Sequence, residues 1–200
     1  MARVPLVGLT GGLGAGKSEA LGALRELGAA TLSTDAVVHE LYESDELRDI
    51  VVARLGEQVA PGGQIDRSLI AERVFGDDDA RGWLEGELWP RVGKRMAGWK
   101  REVDALDPAP PIAVVEVPLL FESGMEQAFD ATIAVVADEE VRAERAGSRG
   151  HASVEERTGR QLSQEEKAQR ADYTVRNDGT LEELRENLSR VLARLDSPPP

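Results

Sequence analysis

The sequence predicts an α/β protein: a doubly wound parallel sheet with two helical insertions. Three observations carry this. Residues 4–9, 112–117 and 131–137 are apolar runs without alternation, as in strands covered on both faces. Segments between them place apolar residues at helical spacing, such as Ala20, Leu21, Leu24 and Leu27. A glycine-rich turn joins the first strand to the first helix.

That turn is Gly11-Gly12-Leu13-Gly14-Ala15-Gly16-Lys17-Ser18, which fits G-x-x-x-x-G-K-[ST]. It sits between strand and helix, as this motif requires, and defines a P-loop NTPase-type sheet. Glycines there let backbone N–H groups close around a polyphosphate, and the helix N-terminus adds partial positive charge. Lys17 is expected to reach the β- and γ-phosphates, and the Ser18 hydroxyl to bind Mg²⁺. The chain has four lysines against twenty arginines, and one of the four falls where the motif needs it.

Gly28 stops the first helix, and residues 29–33 read as a short second strand. Thr34 or Asp35 then opens a helix carrying Val37, Val38, Leu41 and Tyr42. An acid after a strand's C-terminal end faces the ligand crevice of an α/β fold, so Asp35 is a candidate base; a helix cap is the competing role. Residues 45–55 and 67–75 read as helices separated by Pro61-Gly62-Gly63. Asp77-Asp78-Asp79 reads as a solvated helix start rather than a metal site. Trp83, Leu84, Leu88, Val92, Met96 and Trp99 continue at helical spacing, and Pro90 is expected to kink or divide that helix. Residues 36–106 are therefore expected to form a helical acceptor-binding lobe, with the core in residues 1–35, 107–147 and 172–196.

Residues 107–111 form a stiff linker into the third strand. Glu116 holds the place of the acid that helps hold Mg²⁺ or its water in phosphate-loop proteins; a buried acid satisfied by backbone donors is the alternative. After the strand at 131–137, Asp138 is expected to cap a helix bearing Val141, Arg142 and Arg145. Arg149, His151, Arg157, Arg160, Lys167 and Arg170 follow, with capping boxes at Ser153–Glu156 and Ser163–Glu166. Residues 148–171 are expected to form a small helical lid that excludes water and supplies charge; solvated surface helices are the alternative. Residues 173–176 read as a last strand, Asn177-Asp178-Gly179 as a turn, and Thr180–Glu183 as a third capping box. Leu181, Leu184, Leu188, Val191, Leu192 and Leu195 mark the closing helix, and residues 197–200 a frayed tail.

Composition narrows the function classes. Net charge is −13, which argues against a general binder of nucleic acid or anionic membrane. With no cysteine, disulfides, cysteine-bound zinc and thiol catalysis are excluded. The 41% hydrophobic content supplies a core, but only eight aromatic residues contribute, so it must be mostly Leu, Val and Ala. No apolar run approaches a membrane span, and the first one ends at the phosphate loop, so a cleaved signal peptide is not expected. The expectation is a cytoplasmic protein. Three nucleotide-using classes compete: small-molecule kinase, GTPase switch and ATPase module. The Asn-Lys-x-Asp that reads guanine is absent. Two helical insertions flanking the site favour a kinase.

Beyond the loop, Ser33-Thr-Asp-Ala-Val-Val-His39, Ile65-Asp-Arg67, Val74-Phe75, Val117-Pro-Leu-Leu-Phe-Glu122, Arg145, Arg149, residues 157–161, Ala171-Asp-Tyr173 and Asn177-Asp-Gly179 occur in order. In these pieces the sequence resembles the dephospho-coenzyme A kinase family. The resemblance implies transfer from ATP, with Mg²⁺, to the ribose 3′-hydroxyl of dephospho-CoA. It implies Asp35 as proton acceptor, with Lys17, Arg145 and Arg149 also catalytic. Gly11, Gly12, Leu13, Gly14, Ala15, Gly16, Lys17, Ser18 and Glu19 are then the nucleotide-binding residues, and Ser18 and Glu116 the metal ligands. The implied partner is a small molecule, with no nucleic acid or membrane, in a monomer or small homo-oligomer. The sequence departs from the family pattern at Ser33, Trp89 and Glu116, where Asp, His and Asp are usual.

Overall fold

In the computed structural model, which describes residues 3–148 and 162–195, a five-stranded parallel sheet organises the chain. Its strands are β1 (Leu6–Gly11), β2 (Ala30–Ser33), β3 (Ala113–Glu116), β4 (Ala131–Val136) and β5 (Tyr173–Arg176), in the order β2-β3-β1-β4-β5. Central β1 is paired with β3 (Leu9 beside Glu116) and with β4 (Leu9 beside Ile133). β2 aligns Ser33 with Glu116. β3 and β4 are buried at every position, as runs without alternation require. β1 ends at Gly11, so the loop's first glycine belongs to the strand.

Helices α1 (Lys17–Glu26) and α8 (Leu181–Leu195) bury Leu21, Leu24, Leu184, Leu188 and Val191 in a core with Val7, Leu9, Val114 and Ile133. Leu181, expected on the inner stripe of α8, is exposed, because the helix begins there, outside the run buried from Leu184. Thr180 and Glu183 form the expected reciprocal cap. The remaining helices of this half are α6 (Glu139–Ser148) and α7 (Gln164–Arg170), the latter opened by the capping box of Ser163 and Glu166. The carboxylate of Asp138, expected to cap α6, pairs instead with Arg176 at 2.5 Å.

Contacts divide the described chain into two compact units: residues 1–33 with 100–200, and residues 34–99. The second unit holds α2 (Thr34–Tyr42), α3 (Asp45–Leu55), α4 (Arg67–Val74) and most of α5 (Asp78–Asp104). Its own core joins Tyr42, Leu47, Val51, Leu55, Val59, Ile70 and Leu84. Ser44 caps α3 and Asp66 caps α4. Asp77 accepts from the Ala80 N–H at 2.8 Å at the start of α5, so the acidic run is a helix start. α5 runs unbroken through Pro90, which therefore does not divide it. Leu84, Val92 and Met96 are buried on either side of Pro90, and this burial offsets the hydrogen bond that proline removes.

Candidate active site

The phosphate loop is shaped by glycine and held from behind by three segments. Gly16 lies in the left-handed region (φ 88, ψ 32) and starts α1, its carbonyl accepting from the Ala20 N–H at 2.9 Å. A Cβ there would strike the Asn177 amide. Gly14 (φ +73) is pressed against α6: a Cβ would sit 2.5 Å from the Arg142 carbonyl oxygen. These positions need glycine for conformation and for room, which explains the spacing seen in the sequence.

Asn177 is the hub of the support. Its buried side-chain amide donates to the Ala15 carbonyl at 3.0 Å, and its backbone N–H donates to Val136 at 2.8 Å. Its own carbonyl accepts from Arg145 Nη1 at 3.0 Å. One residue therefore ties the loop, the end of β4 and helix α6 together. The neighbouring Asp178 accepts from the Asp138 N–H at 2.5 Å and from Arg176 at 2.8 Å. Those contacts hold the Arg176 guanidinium above its ordinary pKa, the Asp178 hydrogen bond first. Arg142 completes the frame. Its Nε donates to the Leu13 carbonyl at 2.9 Å, and Nη1 to Glu139 at 2.7 Å. Sequence reading assigned no role to Arg142, although it lies three residues before Arg145 on the same helix face.

Lys17 donates from Nζ to the carbonyls of Gly11 and Gly12, both at 3.0 Å, so its ammonium stands over the loop. Ser18 is exposed at the head of α1, and Glu19 is half-buried in its first turn. Glu116 is buried at the end of β3, beside Leu9. The structure thus brings residues 11–19, Arg145 and the Asn-Asp-Gly turn onto one unit, with Glu116 on the adjacent strand. Arg149, His151, Arg157, Arg160 and the Ser153–Glu156 capping box lie outside the described residues.

Lys167, read from sequence as one of the basic residues of the expected lid, is fully buried. Its ammonium donates to the Pro118 carbonyl at 2.7 Å and pairs with Glu122 at 3.1 Å. The Thr10 hydroxyl also donates to Pro118. The Pro-Leu-Leu-Phe-Glu turn is therefore an anchor for α7. Gln164 strengthens it by exchanging hydrogen bonds with both backbone groups of Ala137. Sequence reading treated Gln164 only as the first residue of a capped helix; nothing in the sequence marks its partner.

Asp35 belongs to the other unit. α2 begins at Thr34, so Asp35 lies in its first turn rather than before it. The carboxylate is exposed and accepts no hydrogen bond among the described residues. It is not a capping acceptor; it is an exposed carboxylate at a helix start, where negative charge is favoured. The same unit contains a cavity of about 890 Å³, lined among others by His39, Tyr42, Arg48, Gln64, Asp66 and Arg67.

A family model described as dephospho-CoA kinase matches residues 5–183. A dephospho-CoA kinase of Protochlamydia amoebophila is 41% identical over 200 residues, covering 98% of each chain. Among solved structures, TT1252 from Thermus thermophilus matches with a TM-score of 0.81 at 33% identity, covering 98% of this chain and 100% of that one. Dephospho-CoA kinase from Campylobacter jejuni matches with a TM-score of 0.67 at 25% identity, over 95% and 96%.

Proposed function

The chain belongs to the dephospho-CoA kinase family, and on that premise we propose how its residues share the work of moving the terminal phosphoryl group of ATP to the ribose 3′-hydroxyl of dephospho-CoA. The products are coenzyme A and ADP, in the final step of coenzyme A biosynthesis. The loop amides of residues 11–18 and the Lys17 ammonium hold the triphosphate and neutralise charge as it shifts to the leaving oxygen. Asp35 takes the proton of the 3′-hydroxyl. The freed oxygen bonds to the γ-phosphorus, the bond to the β–γ bridging oxygen breaks, and ADP departs. Arg145 and Arg149 balance charge on the group in transit. Little covalent chemistry is asked of the protein; positioning and charge supply the rate.

The observation that carries this division is the contrast in Asp35 and Lys17. The lysine is fixed over a loop built for phosphate, and the carboxylate is left uncommitted in the unit that the reading assigns to the acceptor. Mg²⁺ fits the donors at hand. The described residues assemble no group of three or more His, Cys, Asp or Glu side chains, so no protein cage competes for the ion. Ser18 and Glu116 offer one hydroxyl and one carboxylate, the sparse set with which magnesium binds alongside substrate phosphates and water. Bound there, it would supply charge neutralisation at the β- and γ-oxygens. The reading extends to a cytoplasmic monomer or small homo-oligomer without a nucleic-acid partner, in keeping with a net charge of −13. No helix of the described residues is long and apolar enough to cross a membrane.

The test is product analysis. With Mg²⁺ and ATP, dephospho-CoA should gain one phosphate by mass, and ADP should form only when the acceptor is present. ADP released equally without acceptor would make the protein an ATPase and end this reading.

A further inference from the structure

Residues 34–99 contain seven arginines. Six are committed. Arg48 pairs with Asp45 and Asp49, Arg73 with Asp77, Arg81 with Asp78, Arg91 with Glu46 and Glu87, and Arg95 with Glu40. Arg54 lies over the Trp83 ring, 5.9 Å from its centroid. Arg67 alone has no hydrogen bond, ion pair or ring contact among the described residues. It is exposed and lines the 890 Å³ cavity at the first residue of α4.

The acids around the same cavity are already engaged. Asp66 accepts from the Ser68 hydroxyl and the N–H groups of Ser68 and Leu69. Asp45 is held by Arg48, and Glu43 lies 3.6 Å from His39. That leaves the Arg67 charge directed at whatever enters the cavity. Tyr42 is a second donor there. Burial pushes its hydroxyl pKa up, against a smaller opposing effect of Arg67, so it stays a neutral O–H.

α2 supplies a ruler. Asp35, His39 and Tyr42 stand at i, i+4 and i+7, one stripe of a single helix, and His39 and Tyr42 line the cavity. Asp35 and Tyr42 are about 10 Å apart along the axis. A nucleoside with its 3′-hydroxyl at Asp35 can bridge that length with the diphosphate on its 5′ carbon.

We infer that Arg67, with the Tyr42 hydroxyl, is the anchor for the diphosphate of the acceptor. This rests on the reading of the protein as a dephospho-CoA kinase. A guanidinium fork suits a diphosphate, which offers paired oxygens. An uncommitted arginine in a lobe whose other arginines are all engaged is the group that binding would complete.

The experiment compares wild type with Arg67→Gln and Arg67→Lys. Wild type is assayed first: no phosphorylation of dephospho-CoA would overturn the functional reading, and this assignment with it. Given an active wild type, Arg67→Gln should raise the KM for dephospho-CoA about 10- to 100-fold, the loss of charge-assisted hydrogen bonds. The kcat at saturating acceptor and the KM for ATP should hold. Arg67→Lys should recover part of the loss, since it restores charge but not the fork. Inhibition by adenosine, which lacks the diphosphate, should be as strong in Arg67→Gln as in wild type. An unchanged acceptor KM would refute the anchor while leaving the kinase reading intact. So would an equal weakening of adenosine, or a rise in the KM for ATP instead.

Discussion

The phosphate loop and the cavity of residues 34–99 are built on opposite plans. Around the loop, side chains are spent on holding backbone. Asn177 fixes Ala15, Arg142 fixes Leu13, and Lys17 lies on Gly11 and Gly12. In the unit that contains the cavity, Asp35 and the cavity-lining Arg67 hold nothing among the described residues, while the charged residues that line the cavity beside Arg67 are engaged. On the proposed reading, the difference follows from what each ligand end requires. A triphosphate is gripped by fixed amide dipoles, which must be oriented beforehand. An alcohol must lose a proton, which takes a carboxylate free to accept it.

The sharpest way to break the comparison is at its two reactive groups. Asp35→Asn should lower kcat about 10²- to 10⁴-fold, the usual contribution of a positioned base, with nucleotide affinity retained. Stopped-flow nucleotide binding beside steady-state turnover checks both halves; normal turnover would reduce Asp35 to a helix-start charge. Lys17→Ala should cost about 10²- to 10³-fold in kcat, in line with loss of one preorganised donor to developing charge. Its thermal unfolding should be close to wild type, because its ammonium donates to carbonyls of the loop, those of Gly11 and Gly12.

A smaller effect tests whether the loop is held rather than merely placed. Asn177→Ala removes the donor to a buried carbonyl and should destabilise the sheet unit by about 1–3 kcal/mol. Weaker ATP binding should accompany this, with kcat at saturation less affected. Urea unfolding and nucleotide titration of one preparation would separate the two losses. Full ATP affinity in that variant would mean the glycine backbone shapes the loop unaided.

The smallest effect concerns the cavity wall. Hydrogen bonds from Ser68, its hydroxyl first, hold the Asp66 carboxyl below its ordinary pKa. A depressed folded value gives stability that is present above the unfolded value, about 4, and lost as pH falls through the folded one. The wild-type urea midpoint should therefore fall on acidification below that range. Asp66→Asn should flatten this part of the profile; an unchanged acid slope would show that the α4 cap adds nothing.

The loop, all five strands and the pieces Pro118–Glu122 and Asn177–Gly179 were legible in the chain as residues. What two of those pieces do was not. Asn177 reaches Ala15 across 162 positions of sequence, and Lys167 reaches Pro118 across 49. Lys167 shows the limit best: the sequence places it only in a basic run, and nothing there marks that it is buried with a carbonyl and Glu122 to satisfy it. Pro90 shows another, since burial along α5 overrides a local breaker.

By itself the sequence determined the periodicities, the glycine spacing and the reactive residue types, because these depend on near neighbours along the chain. Tertiary structure decided the pairs that helical spacing does not supply, Arg91 with Glu46 across 45 positions and Arg95 with Glu40, and so which arginine of residues 34–99 is left without a partner among the described residues. Pairing depends on what the fold brings within a few ångströms, and no local pattern records that distance.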